Sequence, residues 1–145
     1  MSTVKQILAH KGASVVTISP TSSALDAALL MNEHRIGALV VVEGGRVVGI
    51  ISERDMLQRV IAPRCDPAEC TVDGVMTREV VCCGLDTPLQ EARAILMYRR
   101  IRHLPVVNAE GGLEGMISIG DLNAWDLHGQ EQQIHFLHEY LYGRI

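Results

Sequence analysis

The chain has 145 residues and a mass of 15.9 kDa, the size of one domain or of two very small ones sharing a core. Its 48% apolar and 21% charged residues are enough for a packed core and exclude a disordered chain. A net charge of −4 with only two lysines, Lys5 and Lys11, excludes a nucleic-acid-binding stripe, and the sequence has no apolar run of the length a membrane helix needs.

In chain order, Thr3 to Leu8 forms a short lead-in, and Val15 to Ile18 reads as a brief strand. A helix carrying Ala24, Ala27 and Met31 at helical spacing follows. Ala38–Val42 and Val47–Ile51 then form a hairpin around the turn Glu43-Gly44-Gly45. Ser52 opens a helix expected over Glu53 to Ala62, where Pro63 stops it. The linker takes residues 63–70. The same grammar returns: a lead-in over Thr71 to Met76, a strand at Val80–Cys83, and a helix with Thr87 as N-cap, Pro88 at its first position and Gln90 three after the cap. The hairpin Leu104–Val107 and Leu113–Ile117 follows, around Glu110-Gly111-Gly112, and Ser118 opens the next helix. The tail from His128 to Tyr142 reads as an extra helix that gathers Phe136, Tyr140 and Tyr142, in a chain with only three Tyr, one Trp and one Phe. It either covers the chain's own core or meets another subunit.

The chain therefore repeats itself. An offset of 65 residues without a gap pairs Ala27 with Ala92, Arg35 with Arg100, Ile36 with Ile101 and Leu39 with Leu104. One residue added in the second hairpin turn makes the offset 66, which pairs Gly49–Asp55 with Gly115–Asp121. Two copies suit a pseudo-symmetric pair packed against each other rather than a solenoid. The expected division is 1–62, linker 63–70, 71–127 and a tail over 128–145.

The unit of strand, helix, strand, Gly turn, strand, Ser-x-x-Asp and helix resembles the cystathionine beta-synthase (CBS) domain. The motifs that carry the likeness are Arg35–Val41 with Gly49–Asp55, and Arg100–Val107 with Gly115–Asp121. Val75-Met76-Thr77 also fits as the lead-in before Val80. The tandem arrangement is similar to the two-copy module of that family. The resemblance implies an α/β (α+β) fold of two β-α-β-β-α units, each with a small three-stranded sheet and flanking helices. It also implies clefts between the repeats that hold adenosine-containing ligands (AMP, ADP, ATP or S-adenosylmethionine), a regulatory role without catalysis, and a homodimer with a possible protein partner. A ligand-blind scaffold that works through its dimer surface and tail is the alternative.

The resemblance places ribose-binding carboxylates at Asp55 and Asp121. An ionised carboxylate accepts two hydroxyl hydrogens. Ser52 and Ser118, with the free N–H groups of their helix starts, suit a phosphate. The same Ser-x-x-Asp spacing is nearly a helix-capping box, so capping and ligand binding both remain open. The cations expected near the phosphate are Arg54, Arg102 and His103. The copy-one counterparts of the last two, Gly37 and Ala38, are small and neutral, so the two clefts differ. Arg35, Arg99 and Arg100 read equally well as solvated helix ends. By resemblance, adenine lies against the strands holding Thr17 and Ala38 in one cleft, and Val81, Leu104 and Pro105 in the other.

Other signals are weaker. Cys65, Cys70, Cys82 and Cys83 fit neither a zinc pattern nor a disulfide framework and read as free thiols of a cytoplasmic protein. His135 and His138 lack the further ligands a metal requires. Met1 to Gln6 does not read as a secretory signal. Neither glycine-led motif fits the phosphate loop GxxxxGK[ST].

Overall fold

The computed structural model describes residues 2–128, so the tail beyond His128, with His135 and His138, lies outside the described residues. Helix α1 (Val4–Lys11) starts after Thr3, whose N–H donates to Gln6 Oε1 at 2.7 Å. Strand β1 (Thr17–Ile18) and helix α2 (Ala24–His34) follow. Ser23 caps α2: its hydroxyl accepts from Asp26 N–H at 3.0 Å. Strands β2 (Ala38–Glu43) and β3 (Arg46–Ser52) form the first hairpin. Its turn needs positive φ at both central residues, which Gly44 (60°) and Gly45 (79°) supply. The helix after Ser52 winds as α3 over Glu53–Met56 and continues as a π-helix over Leu57–Ile61. That widening is not visible in the side-chain spacing.

Helix α4 (Val72–Val75) is the second lead-in, and α5 (Leu89–Arg99) is the counterpart of α2. The cap of α5 differs from expectation. Thr87 Oγ1 accepts from Gly84 N–H at 3.0 Å, closing a local turn, and Pro88 stays extended with ψ 145°. Helical geometry therefore begins at Leu89. Strands β4 (His103–Val107) and β5 (Leu113–Ser118) form the second hairpin, and α6 (Ile119–His128) ends the described chain.

The first sheet has the expected three strands, with β1 parallel and β3 antiparallel to the central β2. The second sheet departs from expectation: it has two strands, and Val80–Cys83 contributes a single parallel bridge from Cys83 to Val106. Val80 N–H turns back to Arg78 O at 3.0 Å, which bends this stretch away from a continuous ladder. The two hairpins otherwise match closely. Each carries a register irregularity at the corresponding place, Val41/Val42 and Val106/Val107.

Among the described residues there are two cores, and each is completed by the lead-in that precedes the other repeat. Val72, Val75 and Met76 pack with Ile18, Ala24, Leu39, Val41 and Ile51 of the first repeat. Val4, Ile7 and Leu8 pack with Ala92, Leu96, Leu104, Val106 and Ile117 of the second. Helices of eight and four residues are too short to hold alone, so their position is set by the apolar face they bury, at roughly 1.5–3 kcal/mol per buried Val, Leu or Ile. Two glycines admit them. A Cβ at Gly115 would lie 2.7 Å from Leu8 Cδ1, and one at Gly49 would collide with Met76 Sδ. The exchange is thus symmetric, and the repeats are further tied where Val47 N–H donates to Gly111 O at 3.2 Å.

Candidate functional site

Each Ser-x-x-Asp motif sits where its β-hairpin runs into a helix. The serine is the N-cap in both. Asp55 N–H donates to Ser52 Oγ at 3.3 Å, and Asp121 N–H donates to Ser118 Oγ at 3.1 Å. The aspartates answer, accepting from Ser52 N–H at 2.9 Å and Ser118 N–H at 2.8 Å. Both motifs therefore cap their helices, and the two aspartates differ in what else they do.

Asp55 is sealed. It is only 5% exposed. Its Oδ2 accepts from both the N–H and the hydroxyl of Ser52, and its Oδ1 accepts from Thr77 Oγ1 at 2.9 Å. Arg59 Nη1 lies 4.0 Å from the same oxygen and also donates to Val75 O at 3.2 Å and Met76 O at 2.6 Å. The second lead-in therefore closes over this carboxylate with Thr77, while Arg59 clamps the lead-in backbone.

Asp121 is open. Its side chain is 24% exposed. Ser118 N–H and the Lys11 ammonium, at 2.7 Å, both bond to Oδ2, which leaves Oδ1 with no hydrogen-bond partner among the described residues. Lys11 Nζ also donates to Met116 O at 2.9 Å. The lysine reaches this place because Leu8, three residues earlier on the same helical face, seats against Gly115.

The charges around Asp121 come from both repeats. His103 faces Ser118 across the β4–β5 ladder. The imidazole is pushed below its usual range, first by burial and then by the Arg102 guanidinium and, more weakly, the Lys11 ammonium. The carboxylates of Asp121 and Glu53 pull the other way. Glu53 comes from α3 of the first repeat, so the second cleft is bordered by residues on both sides of the pseudo-symmetry. In the first repeat, Ala38 faces Ser52 and Gly37 lies against the Glu53 carboxylate, so neither position carries a charged side chain like those of Arg102 and His103.

Among the remaining expected site residues, Pro105 and Ala38 are buried in their strands, Val81 packs against the second core, and Thr17 and Arg54 are exposed. Arg35 and Arg100 are exposed residues in left-handed conformation (both φ 55°) that end α2 and α5, which agrees with the helix-end reading. Lys11, Glu53, Arg59 and Thr77 were not singled out for these roles by the spacing of motifs. The one sequence signal for Lys11 is that it is one of two lysines in the chain. A separate groove of about 500 Å³ lies at the far end of β4, lined by Leu85, Asp86, Glu91, Asn108 and Glu114 among others. Its titratable lining is acidic, which disfavours a phosphate, and it contains none of the expected site residues.

A family model for the CBS domain matches residues 4–62 and again residues 72–127. The chain belongs to the CBS-domain family. This CBS pair is 34% identical over 122 residues to the CBS domain-containing protein YhcV of Bacillus subtilis, covering 84% of each chain. It is 35% identical over 109 residues to a Methanopyrus kandleri protein, covering 74% of this chain and 56% of that one, so it spans little more than half of that relative. The crystal structure of the CBS-domain-containing protein ATU1752 from Agrobacterium tumefaciens superposes with a TM-score of 0.80 at 36% identity, over 86% of this chain and 99% of that one. Two further crystal structures contain ligands. CBSX2 in complex with AMP matches with a TM-score of 0.75 at 25% identity, and the CBS pair of MJ0100 in complex with 5-methylthioadenosine and S-adenosyl-L-methionine with a TM-score of 0.74 at 25%. Each covers 90% of this chain and 99% of the other. Matches to inosine-5′-monophosphate dehydrogenases span about a fifth of those enzymes, 21% in the protein from Korarchaeum cryptofilum. No helix among the described residues is long and apolar enough to cross a membrane.

Proposed function

We propose that this CBS pair is a regulatory module that binds one adenosine-containing ligand (AMP, ADP, ATP or a similar molecule) in the cleft beside Asp121. The observation that carries the reading is the contrast between the aspartates. Asp121 has an open carboxylate oxygen and part of its side chain in solvent, whereas both oxygens of Asp55 are bonded inside the protein. Ribose hydroxyls hydrogen-bond to Asp121, Arg102 and the Ser118 helix start face the phosphate, and His103 borders it. Adenine rests on Val81 and the Leu104-Pro105 strand. Asp55, Ser52, Arg54, Ala38 and Thr17 form the counterpart on the first repeat, which serves as structure rather than as a second binding site. The bound AMP of CBSX2 and the bound S-adenosyl-L-methionine and 5-methylthioadenosine of MJ0100 support the ligand class.

Ligand binding then shifts the packing of the two repeats by its differential affinity for their arrangements, which is the thermodynamic content of a sensor. No catalytic step is assigned. The module works as a homodimer in the cytoplasm. Exposed Leu29, Leu57 and Ile61 supply apolar surface for a second copy, and four free thiols suit a reducing compartment. Titration calorimetry with AMP, ATP and S-adenosylmethionine tests the reading. Binding of at least one, abolished in Asp121→Ala and retained in Asp55→Asn, is the expected result. The absence of heat with all three refutes it.

A further inference from the structure

The Lys11–Asp121 contact joins a helix that precedes the first repeat in the chain to the carboxylate of the second. It is half-exposed on both sides, at 36% and 24%, and ion pairs of that kind are weakly held. Lys11 Nζ has three protons, and its bonds to Asp121 Oδ2 and Met116 O use two of them. Its charge, that of Arg102 and the His103 ring all bear on one region, since the imidazole responds to both cations. The first repeat offers no such set. Gly37 and Ala38 stand in place of Arg102 and His103, and its lead-in supplies the neutral hydroxyl of Thr77 to Asp55.

We propose that Lys11 is a specificity-determining residue of the Asp121 cleft, making it select adenosine ligands that carry a phosphate over those that do not. The inference rests on the reading that an adenosine ligand binds at Asp121. A nucleoside 5′-phosphate carries its diol and its phosphate on the same ribose. With the diol on the open Oδ1 of Asp121, the phosphate falls within the sweep of an ammonium already bonded to the other oxygen of that carboxylate. The long, flexible stem of lysine allows it to follow the phosphate while α1 stays seated through Val4, Ile7 and Leu8. An uncharged nucleoside gains nothing from Lys11 and leaves it on Asp121. Glu53 is exposed on the opposite side of the cleft, so its carboxylate is free to turn into solvent as a phosphate enters.

Calorimetry with AMP and with adenosine, on the wild-type chain and on Lys11→Met and Lys11→Arg, separates the outcomes. Wild-type protein is expected to bind AMP at least about tenfold more tightly than adenosine, the size of one charge-assisted hydrogen bond. Lys11→Met lowers AMP affinity by about tenfold and leaves adenosine affinity within about twofold, so the preference collapses. Lys11→Arg retains most of it. An AMP-to-adenosine ratio unchanged in Lys11→Met overturns the role of Lys11 while leaving the Asp121 site standing, provided Asp121→Ala abolishes adenosine binding. If wild-type protein binds neither compound, this inference is overturned, and the site itself falls only if ATP and S-adenosylmethionine also give no heat.

Discussion

Replacing Asp55 with alanine tests the claim that the first Ser-x-x-Asp motif is structural. The substitution removes the acceptor for Ser52 N–H at 2.9 Å, for Ser52 Oγ at 3.1 Å and for Thr77 Oγ1 at 2.9 Å. The Ser52 and Thr77 hydroxyls are half-buried and can turn to other partners, so the stranded Ser52 N–H dominates, while the backbone N–H of residue 55 keeps its bond to Ser52 Oγ. A stranded donor costs about 1–3 kcal/mol. Arg59 also loses its carboxylate at 4.0 Å, a small effect for a guanidinium that keeps two backbone carbonyls. The total is roughly 2 kcal/mol. With a urea m-value of about 2 kcal/mol/M, the unfolding midpoint should fall by about 1 M. Asp55→Asn is the informative control. Its amide oxygen accepts from Ser52 N–H while its NH2 donates to Thr77 Oγ1, so only about 1 kcal/mol is lost. Equilibrium urea unfolding followed by circular dichroism measures both. A midpoint within about 0.3 M of wild type for Asp55→Ala would refute the argument, because it would mean that the sealed carboxylate holds nothing.

Two further predictions concern titration. His103 is held below its unfolded value of 6.5 by burial and by Arg102, so the unfolded chain takes up a proton before the folded one does. The stability contributed by the neutral ring is complete above pH 6.5 and is lost as the pH falls through the folded value. Thermal unfolding of wild type and His103→Gln between pH 7.5 and about pH 5 should show the wild-type midpoint falling more steeply, and parallel curves would contradict it. Burial and the neighbouring Cys82 push the Cys83 thiol up to about 12, so it should resist alkylation at neutral pH until the chain is unfolded. Exposed Cys65 should be modified first, and mass spectrometry of partly alkylated protein would show the order.

Much of the fold was legible because it is written in local periodicity. The two hairpins, their Gly turns and the buried stripe of Ala24, Ala27 and Met31 follow from alternation and helical spacing, which short-range sterics enforce. The duplication was equally plain, since matched spacings over 65 residues need no tertiary information. The Thr87 cap and the third strand of the second sheet depart from that periodicity for a related reason. Thr87 and Val80 have partners only a few residues away, and a local hydrogen bond competes directly with the regular element.

The sequence by itself determined that two similar units exist, that each ends its hairpin in a capped helix with an aspartate, and that Arg102 and His103 have no charged counterparts in the first unit. The tertiary structure alone decided which aspartate is available. Thr77 reaches Asp55 from 22 positions away, and Lys11 reaches Asp121 from 110, through lead-ins that cross to the opposite repeat. Such pairings carry no periodic signal. They depend on which apolar face a short helix buries, and at Asp121 that choice is fixed by the space Gly115 leaves for Leu8.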